Sequence, residues 1–176
     1  MNLAVVSGRT LVPTDNFTKD QKKAYDELIE FINSEYNPND YKRALIGPAG
    51  TGKTYLIKAL IKNCTLSYST IGLAAPTHKA CRVLHESICL SGVNINTLQS
   101  DLGLRLNFDV EKFDINNPPF DPKGRIKIGE YLLYIVDEAS MINRGLATFL
   151  EKTCKSNKCK MIYIGRHNTI ADVKFL

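Results

Sequence analysis

The chain lacks the cysteine spacing of either a disulfide framework or a zinc site. Its five cysteines are scattered and odd in number, which argues against a set of paired disulfides. Cys81, His85 and Cys89 recur every four residues, and Cys154 and Cys159 lie five apart, but neither set contains a C-x₂-C pair. We therefore expect buried or surface thiols in a reducing compartment rather than a metal centre.

Long apolar runs are also missing. No segment approaches the roughly 20 apolar residues that a membrane-spanning helix needs, and the first residues lack the charged start and apolar core of a signal peptide. We therefore expect no membrane partner and a cytoplasmic location. The net charge of +5 is mild and permits a nucleic-acid partner without requiring one. A chain of 176 residues is long enough for one domain with a substantial core.

The most specific motif is an eight-residue stretch that we call the phosphate loop, Gly47-Pro48-Ala49-Gly50-Thr51-Gly52-Lys53-Thr54. It fits G-x-x-x-x-G-K-[ST], the phosphate-binding motif of P-loop nucleotidases. The apolar residues 43–46 before it predict a buried strand, and the apolar spacing of residues 56–61 after it predicts a helix. Strand, loop and helix are the context that this motif requires.

The residue types in the phosphate loop suit a nucleoside triphosphate. Gly50 and Gly52 permit backbone angles that turn successive N–H groups towards a phosphate, and the following helix directs its positive end at the same anion. Lys53 should reach the β- and γ-phosphates, and the Thr54 hydroxyl should ligate Mg²⁺. We therefore expect ATP and Mg²⁺ as cofactors.

Upstream of the phosphate loop, residues 1–16 suggest an extended arm. Thr18 and Gln21 then have the spacing of a capping box, and apolar residues between 24 and 32 predict an amphipathic helix. Gln21 has two interpretations. It either completes the helix cap, which the spacing alone favours, or uses its amide to bind an adenine edge.

Downstream, apolar strands alternate with helices. Residues 69–75, 131–136 and 160–165 predict strands, the last of these being the final strand of the sheet, and helices are expected after about residue 78 and from Arg144. This alternation indicates a parallel sheet with crossover helices. Ligands of such sheets bind at the carboxyl ends of the strands, where Thr77, His78 and Lys79 would lie. These side chains suit a phosphodiester backbone, although a polar helix start with a solvated lysine has the same composition.

The strand at residues 131–136 is continuously apolar, as is typical of a central strand covered on both faces. It ends in two adjacent carboxylates, Asp137 and Glu138. Asp137 is placed to hold Mg²⁺ through water, and Glu138 to polarise an attacking water. The structural alternative is a strand that ends in acidic residues of a helix start.

Two segments interrupt the alternation. Residues 94–103 suggest a polar connection with buried leucines. Residues 116–124 are rich in proline and asparagine and cannot form a helix or a central strand. The flanking residues 104–108 and 125–128 alternate apolar with polar, which predicts a hairpin inserted at about 104–130. A disordered loop is the alternative.

Taken together, these motifs resemble the N-terminal motor domain of superfamily 1B DNA helicases, the group of Pif1, RecD and phage Dda-type enzymes. The resemblance covers most of the chain, and it is most specific at residues 75–80 and 136–141. The matching segments are Phe17 to Gln21, the phosphate loop, Ala75-Pro76-Thr77-His78-Lys79-Ala80, Thr97-Leu98-Gln99-Ser100 and Val136-Asp137-Glu138-Ala139-Ser140-Met141.

The resemblance implies an α/β, RecA-like P-loop NTPase fold over residues 17–176, with a parallel β-sheet flanked by helices and a small β-hairpin insertion. It also implies a bacterial or phage-infected cell, 5′–3′ movement on single-stranded DNA, and replication or repair proteins as further partners. Gln21 would then bind adenine, alone or in addition to capping. The residues expected to contact DNA are Pro76, Thr77, His78, Lys79, Thr97 and Gln99, with Phe108, Phe113 and Phe120 of the insertion as candidates for base stacking.

The chain departs from this family at the end of the strand at residues 160–165. Family members carry an acid and a phosphate-sensing glutamine there, where this chain has Arg166 and Thr169. Arg166 would change the field around Mg²⁺ or turn towards phosphate. Gln99 stands where the family usually has histidine, which keeps a hydrogen-bonding group.

The family's second RecA-like domain, with its arginine finger, is not found in residues 1–176. Because such an arginine is worth roughly 10³–10⁵ in rate, we expect this chain alone to bind ATP, hydrolyse it slowly or undetectably, and not unwind DNA. Two rival interpretations remain open. One is a degenerate remnant that binds nucleotide or DNA without turnover, and the other is a different P-loop ATPase, such as an AAA-type or clamp-loader subunit.

Overall fold

The structure, a computed structural model, describes residues 9–106, 120–122, 124–166 and 174–175. Its helices are α1 (Lys19–Asn33), α2 (Lys53–Asn63), α3 (His78–Ile88), α4 (Leu98–Asp101) and α5 (Arg144–Ser156). Its strands are β1 (Lys42–Ile46), β2 (Ile71–Ala75), β3 (Asn94–Thr97), β4 (Leu104–Leu106), β5 (Phe120–Pro122), β6 (Leu133–Val136), β7 (Lys160–Gly165) and β8 (Lys174–Phe175).

Six strands form one parallel sheet in the order β3-β2-β6-β7-β1-β8. Strands β4 and β5 form a separate antiparallel pair. Because the six strands run in one direction, the segments that follow β1, β2, β3, β6 and β7 emerge at the same edge of the sheet. The predicted fold is confirmed: an α/β, RecA-like P-loop NTPase sheet flanked by helices, with a small β-hairpin insertion.

The sheet is buried on both faces. In β6, Leu133 and Ile135 belong to one core cluster, whereas Tyr134 and Val136 belong to the other. The first cluster includes residues of α1 and α2, and the second includes residues of α5. This two-sided burial explains why β6 has no apolar–polar alternation.

Helix α1 is capped at both ends. Thr18 and Gln21 form the predicted capping box. At the other end the buried Lys160 donates to the carbonyl oxygens of Phe31 (2.6 Å), Ile32 (3.2 Å) and Ser34. The last carbonyls of a helix have no intrahelical partner, so this ammonium joins β7 to the end of α1. Burial, followed by the charge of Arg43, lowers the pKa of Lys160.

Two sequence expectations for the sheet are wrong. Residues 94–97, expected in a polar connection, form the edge strand β3 beside β2. The strand at residues 160–165 was expected to be the last, but β8 follows it and pairs with β1. An edge strand with three polar residues out of four and a two-residue strand both lack the apolar pattern by which strands are recognised.

The hairpin insertion is present, but its predicted second strand is wrong. Strand β4 pairs with β5, with Leu104 opposite Pro122, and residues 125–127 are irregular. Proline is tolerated in this ribbon because, among the described residues, β5 pairs with no strand other than β4 that would need its missing N–H. Ile128 is fully buried in the second core cluster, whereas Ile126 is 40% exposed. The apolar–polar pattern at residues 125–128 therefore corresponds to one buried isoleucine and not to a strand.

Candidate nucleotide site and basic groove

The phosphate loop lies between β1 and α2. Gly50 and Gly52 adopt φ angles of +78° and +79°, a region that residues with a Cβ rarely enter. Gly52 is also the N-cap of α2, where no side chain bonds to the first N–H groups of the helix. These donors of a helix start remain available to an anion.

Lys53, the first residue of α2, points back over the loop. Its Nζ donates to the carbonyl oxygens of Gly47 (2.7 Å) and Pro48 (2.6 Å). Burial lowers the pKa of Lys53, the negative charge of Asp137 opposes this effect, and the positive charge of Arg166 adds to it. The ammonium thus lies where a phosphate would compete with the loop carbonyls for its protons.

Gln21 reaches the phosphate loop from α1. Its Oε1 accepts from the backbone N–H of Thr18 at 3.0 Å, and its Nε2 donates to the carbonyl of Thr51 at 2.8 Å. The capping interpretation is therefore confirmed, and the same side chain touches the nucleotide motif. Gln21 also lines a cavity of about 650 Å³ between the start of α1 and the phosphate loop, while its contact with adenine stays a prediction.

The two carboxylates follow β6 at the same edge of the sheet. The Asp137 carboxylate accepts from the backbone N–H of Glu138 at 2.8 Å. Burial raises the pKa of Asp137, an effect opposed by that hydrogen bond and by Lys53. Glu138 is exposed and has a φ of +52°, an uncommon conformation for a residue with a side chain and one that is found at functional sites.

Thr54 and Asp137 lie around one small gap whose other lining residues are apolar. A hydroxyl and a carboxylate are the oxygen ligands that Mg²⁺ prefers beside phosphate. The residues present therefore fit a Mg²⁺–nucleotide complex. No group of three or more histidine, cysteine or acidic side chains that could hold a metal ion by itself occurs in the part of the chain that the structure describes.

A second cavity, which we call the basic groove, has a volume of about 640 Å³ and follows the ends of β2 and β3. It is lined by Pro76, His78, Thr97, Gln99, Ser100, Gly103, Leu104, Gly124, Arg125 and Lys127. Four predicted DNA contacts are thus brought together: Pro76, His78, Thr97 and Gln99. Thr77 and Lys79 are exposed at the same start of α3 but do not line the groove.

Both threonine hydroxyls serve as helix caps. The Thr77 hydroxyl accepts from the N–H of Ala80 at 3.2 Å, and the Thr97 hydroxyl accepts from Ser100 at 3.3 Å. Thr97 is also 8% exposed. Each hydroxyl keeps a proton to donate, but its orientation is fixed by the helix start.

A buried carboxylate belongs to a residue that is hydrogen-bonded through its backbone to the groove residue Lys127. Asp101 is fully buried and accepts from Asn96 Nδ2 (2.9 Å) and from the Tyr134 hydroxyl (3.0 Å). Its backbone carbonyl accepts from the N–H of Lys127 at 2.8 Å. Burial raises the pKa of Asp101 to about 6, although both hydrogen bonds and Lys127 oppose the shift.

Sequence reasoning missed Arg125 and Lys127, because their alternation with apolar residues was interpreted as a strand. The basic residues themselves were the available signal. Three predicted site or family positions, Phe108, Phe113 and Thr169, lie outside the described residues. Phe120 lies in β5. No helix in the described ranges combines the length and apolarity needed to cross a bilayer.

Comparison with known proteins places the chain in a family. A family model described as "AAA domain" matches residues 17–174, and no curated protein matches in sequence. Two solved structures of the large terminase ATPase domain of Thermus phage P74-26, one of them a point mutant, are similar with TM-scores of 0.44 and 0.42. Their identities are 12% and 11%, over 82% and 83% of this chain and 70% and 71% of theirs. The family match covers most of the chain, which therefore belongs to this AAA-domain family of P-loop ATPases.

Proposed function

We propose that this P-loop ATPase domain is the ATP-binding motor domain of an ATP-dependent DNA helicase. It binds Mg²⁺-ATP at the phosphate loop and single-stranded DNA in the basic groove. The observation that carries the proposal is the composition of that groove. Four residues from two separate segments, which the helicase resemblance assigns to DNA contact, line one cavity together with two basic side chains.

The location of the groove supports coupling to ATP. The groove follows β2 and β3, and Asp137 follows β6, which is the neighbour of β2 in the sheet. The Asp137 N–H donates to the carbonyl of Ala74, two residues before Pro76, at 2.8 Å. A movement of the backbone at Asp137 would therefore be transmitted to the groove through the hydrogen-bonded pair of strands β6 and β2.

At the nucleotide site, each residue has one task. Lys53 exchanges its bonds to the loop carbonyls for phosphate oxygens, while the N–H groups at the start of α2 bind the same anion. Thr54 and Asp137 would hold Mg²⁺, which when bound neutralises phosphate charge. Glu138 accepts a proton from the attacking water and orients it.

The DNA-binding proposal is tested with a fluorescein-labelled oligothymidylate of about 15 nucleotides. The double variant Arg125→Ala/Lys127→Ala should weaken binding and reduce the slope of log affinity against log salt by about 1 to 2, because each lost phosphate contact removes nearly one released counterion. The matched control is Lys152→Ala/Lys155→Ala, which removes the same charge from exposed positions on α5. Equal weakening in both double variants would refute binding in the groove.

The family description also fits a subunit of an ATPase ring, in which a neighbouring copy completes the ATP site. This alternative predicts that ATP turnover per molecule rises steeply with protein concentration in the absence of DNA. Under the helicase proposal, turnover per molecule is slow and independent of protein concentration, and single-stranded DNA increases it only within this slow range. Phosphate release measured over a protein dilution series, with and without oligothymidylate, separates the two.

A further inference from the structure

Arg166 lies at the edge of the sheet from which the phosphate loop emerges. It directly follows Gly165, the last residue of β7, which is paired with Ile46 at the end of β1. The carbonyl of Gly165 accepts from the N–H of Gly47, the first residue of the phosphate loop, at 3.2 Å. The backbone of Arg166 is therefore held beside the start of the phosphate loop.

The end of β7 also borders the loop that carries the two carboxylates. Strands β6 and β7 are neighbours in the sheet, and a Cβ placed on Gly165 would lie 3.9 Å from the backbone nitrogen of Ser140. Arg166 thus emerges between the phosphate loop on one side and residues 137–140 on the other. This is the junction that the terminal phosphate of a bound nucleotide must occupy if Lys53 and Asp137 both act on it.

The positive charge of Arg166 affects Lys53 of the nucleotide site. It adds to the effect of burial in lowering the pKa of Lys53, which places two cations near one another. Among the residues that the structure describes, none forms an ion pair or hydrogen bond with the exposed Arg166 guanidinium. Two cations close together favour an anion with several negative oxygens between them.

We propose that Arg166 is a phosphate-contacting residue that binds the terminal phosphate of ATP and makes the site prefer ATP to ADP. This inference rests on the proposed nucleotide site. A guanidinium presents a planar fork of donors that matches two phosphate oxygens at once, whereas Lys53 acts as a point charge. The departure from the helicase pattern at Arg166 would thus provide a phosphate contact in the nucleotide site.

The test is calorimetric titration of the full chain with Mg²⁺-ATPγS and with Mg²⁺-ADP. Arg166→Ala should weaken ATPγS binding about tenfold, the loss of one good charge-assisted contact, and leave ADP binding within about twofold. Arg166→Lys, which keeps the charge but not the fork, should recover only part of the lost affinity. Arg82→Ala, which removes an exposed arginine of α3 that has no place in either proposed site, is the matched control and should change neither affinity.

Two results would overturn the inference while leaving the nucleotide site intact. One is unchanged ATPγS binding by Arg166→Ala, and the other is an equal loss for both nucleotides, which would indicate a general effect of charge. If the unsubstituted chain binds neither nucleotide, the proposed function fails as well. Because Arg166 is exposed, the variants should keep the native circular dichroism spectrum, and that spectrum is recorded for each.

Discussion

At the scale of single residues, Gly50 and Gly52 differ in what a side chain would meet. Both have φ angles close to +80°, so any other residue is strained by about 1 kcal/mol at either position. At Gly50 a Cβ would have no heavy atom within 4 Å, whereas at Gly52 it would lie 2.8 Å from Gln21 Nε2. Gly52 is therefore required both by its backbone angle and by the close approach of Gln21, whereas Gly50 is required by its backbone angle alone.

We expect Gly50→Ala to lower the free energy of unfolding by about 1 kcal/mol and Gly52→Ala by about 2 kcal/mol or more. The larger effect arises because the new methyl group displaces the Gln21 amide and breaks its hydrogen bond to the Thr51 carbonyl. Urea denaturation measures both values. Gln21→Ala should cost less in the Gly52→Ala background than in the native chain, and strict additivity would contradict the proposed clash.

The residues whose roles were predicted correctly from the sequence are those that belong to short local motifs. The capping box at Thr18 and Gln21 and the positive φ values of Gly50 and Gly52 follow from motifs of fewer than nine residues. Arg125 and Lys127 lie far along the chain from His78 and Gln99. Only the return of the chain behind the hairpin insertion, anchored by Ile128, brings them into the same groove.

At the scale of elements, the short helix α4 ends in the buried Asp101, whose pKa is raised to about 6 by burial. An unfolded aspartate has a pKa of about 4, so between these values the folded chain holds more protons than the unfolded chain. The free energy of unfolding contributed by this group is therefore highest at low pH and falls as pH rises from about 4 to above 6.

Asp101→Asn removes this ionisation while keeping a polar group for Asn96 and Tyr134. Relative to the native chain, the variant should gain about 2 kcal/mol of unfolding free energy between about pH 4.5 and about pH 7.5, since one pKa unit corresponds to 1.36 kcal/mol and part of the effect already occurs below pH 4.5. Urea denaturation at the two pH values measures the change. The control Glu86→Gln removes an exposed carboxylate of α3, and a pH-independent difference for Asp101→Asn would contradict the assignment.

The elements themselves were predictable where burial is continuous or amphipathic, as for β6 and α1. The contact between Lys160 and the end of α1 was not, because a lysine at the start of a strand is ordinarily a solvated residue. It becomes a helix cap only when the sheet carries β7 beneath the carbonyls of Phe31, Ile32 and Ser34. Contacts of this kind depend on tertiary packing and leave no signature in sequence spacing.

At the scale of the whole molecule, one edge of one parallel sheet carries most of the described groups of the proposed site. The phosphate loop follows β1, the basic groove follows β2 and β3, the carboxylates follow β6, and Arg166 follows β7. The parallel direction of the strands explains how residues up to 120 positions apart act together. It also means that the phosphate loop, the carboxylates and Arg166 all approach a nucleotide from one side.

A nucleotide held from one side should bind better than it reacts, because fast phosphoryl transfer usually needs an arginine from a second domain or subunit, worth about 10³–10⁵ in rate. We therefore expect residues 1–176 to bind ATP and to release phosphate slowly, even with saturating oligothymidylate. Lys53→Ala should weaken ATP binding at least about tenfold. Glu138→Gln should bind ATP with native affinity and lower the residual turnover, because Glu138 acts on water rather than on phosphate.

The comparison between the native chain and Glu138→Gln decides whether the site is catalytic. Turnover that is slow but clearly above that of Glu138→Gln supports a motor domain whose chemistry is completed from outside residues 1–176. Turnover identical in the two proteins, with ATP affinity unchanged, supports a remnant that binds nucleotide without hydrolysing it. Rapid DNA-stimulated turnover would contradict both, and would mean that Arg166 or a second copy of the chain already supplies the missing charge.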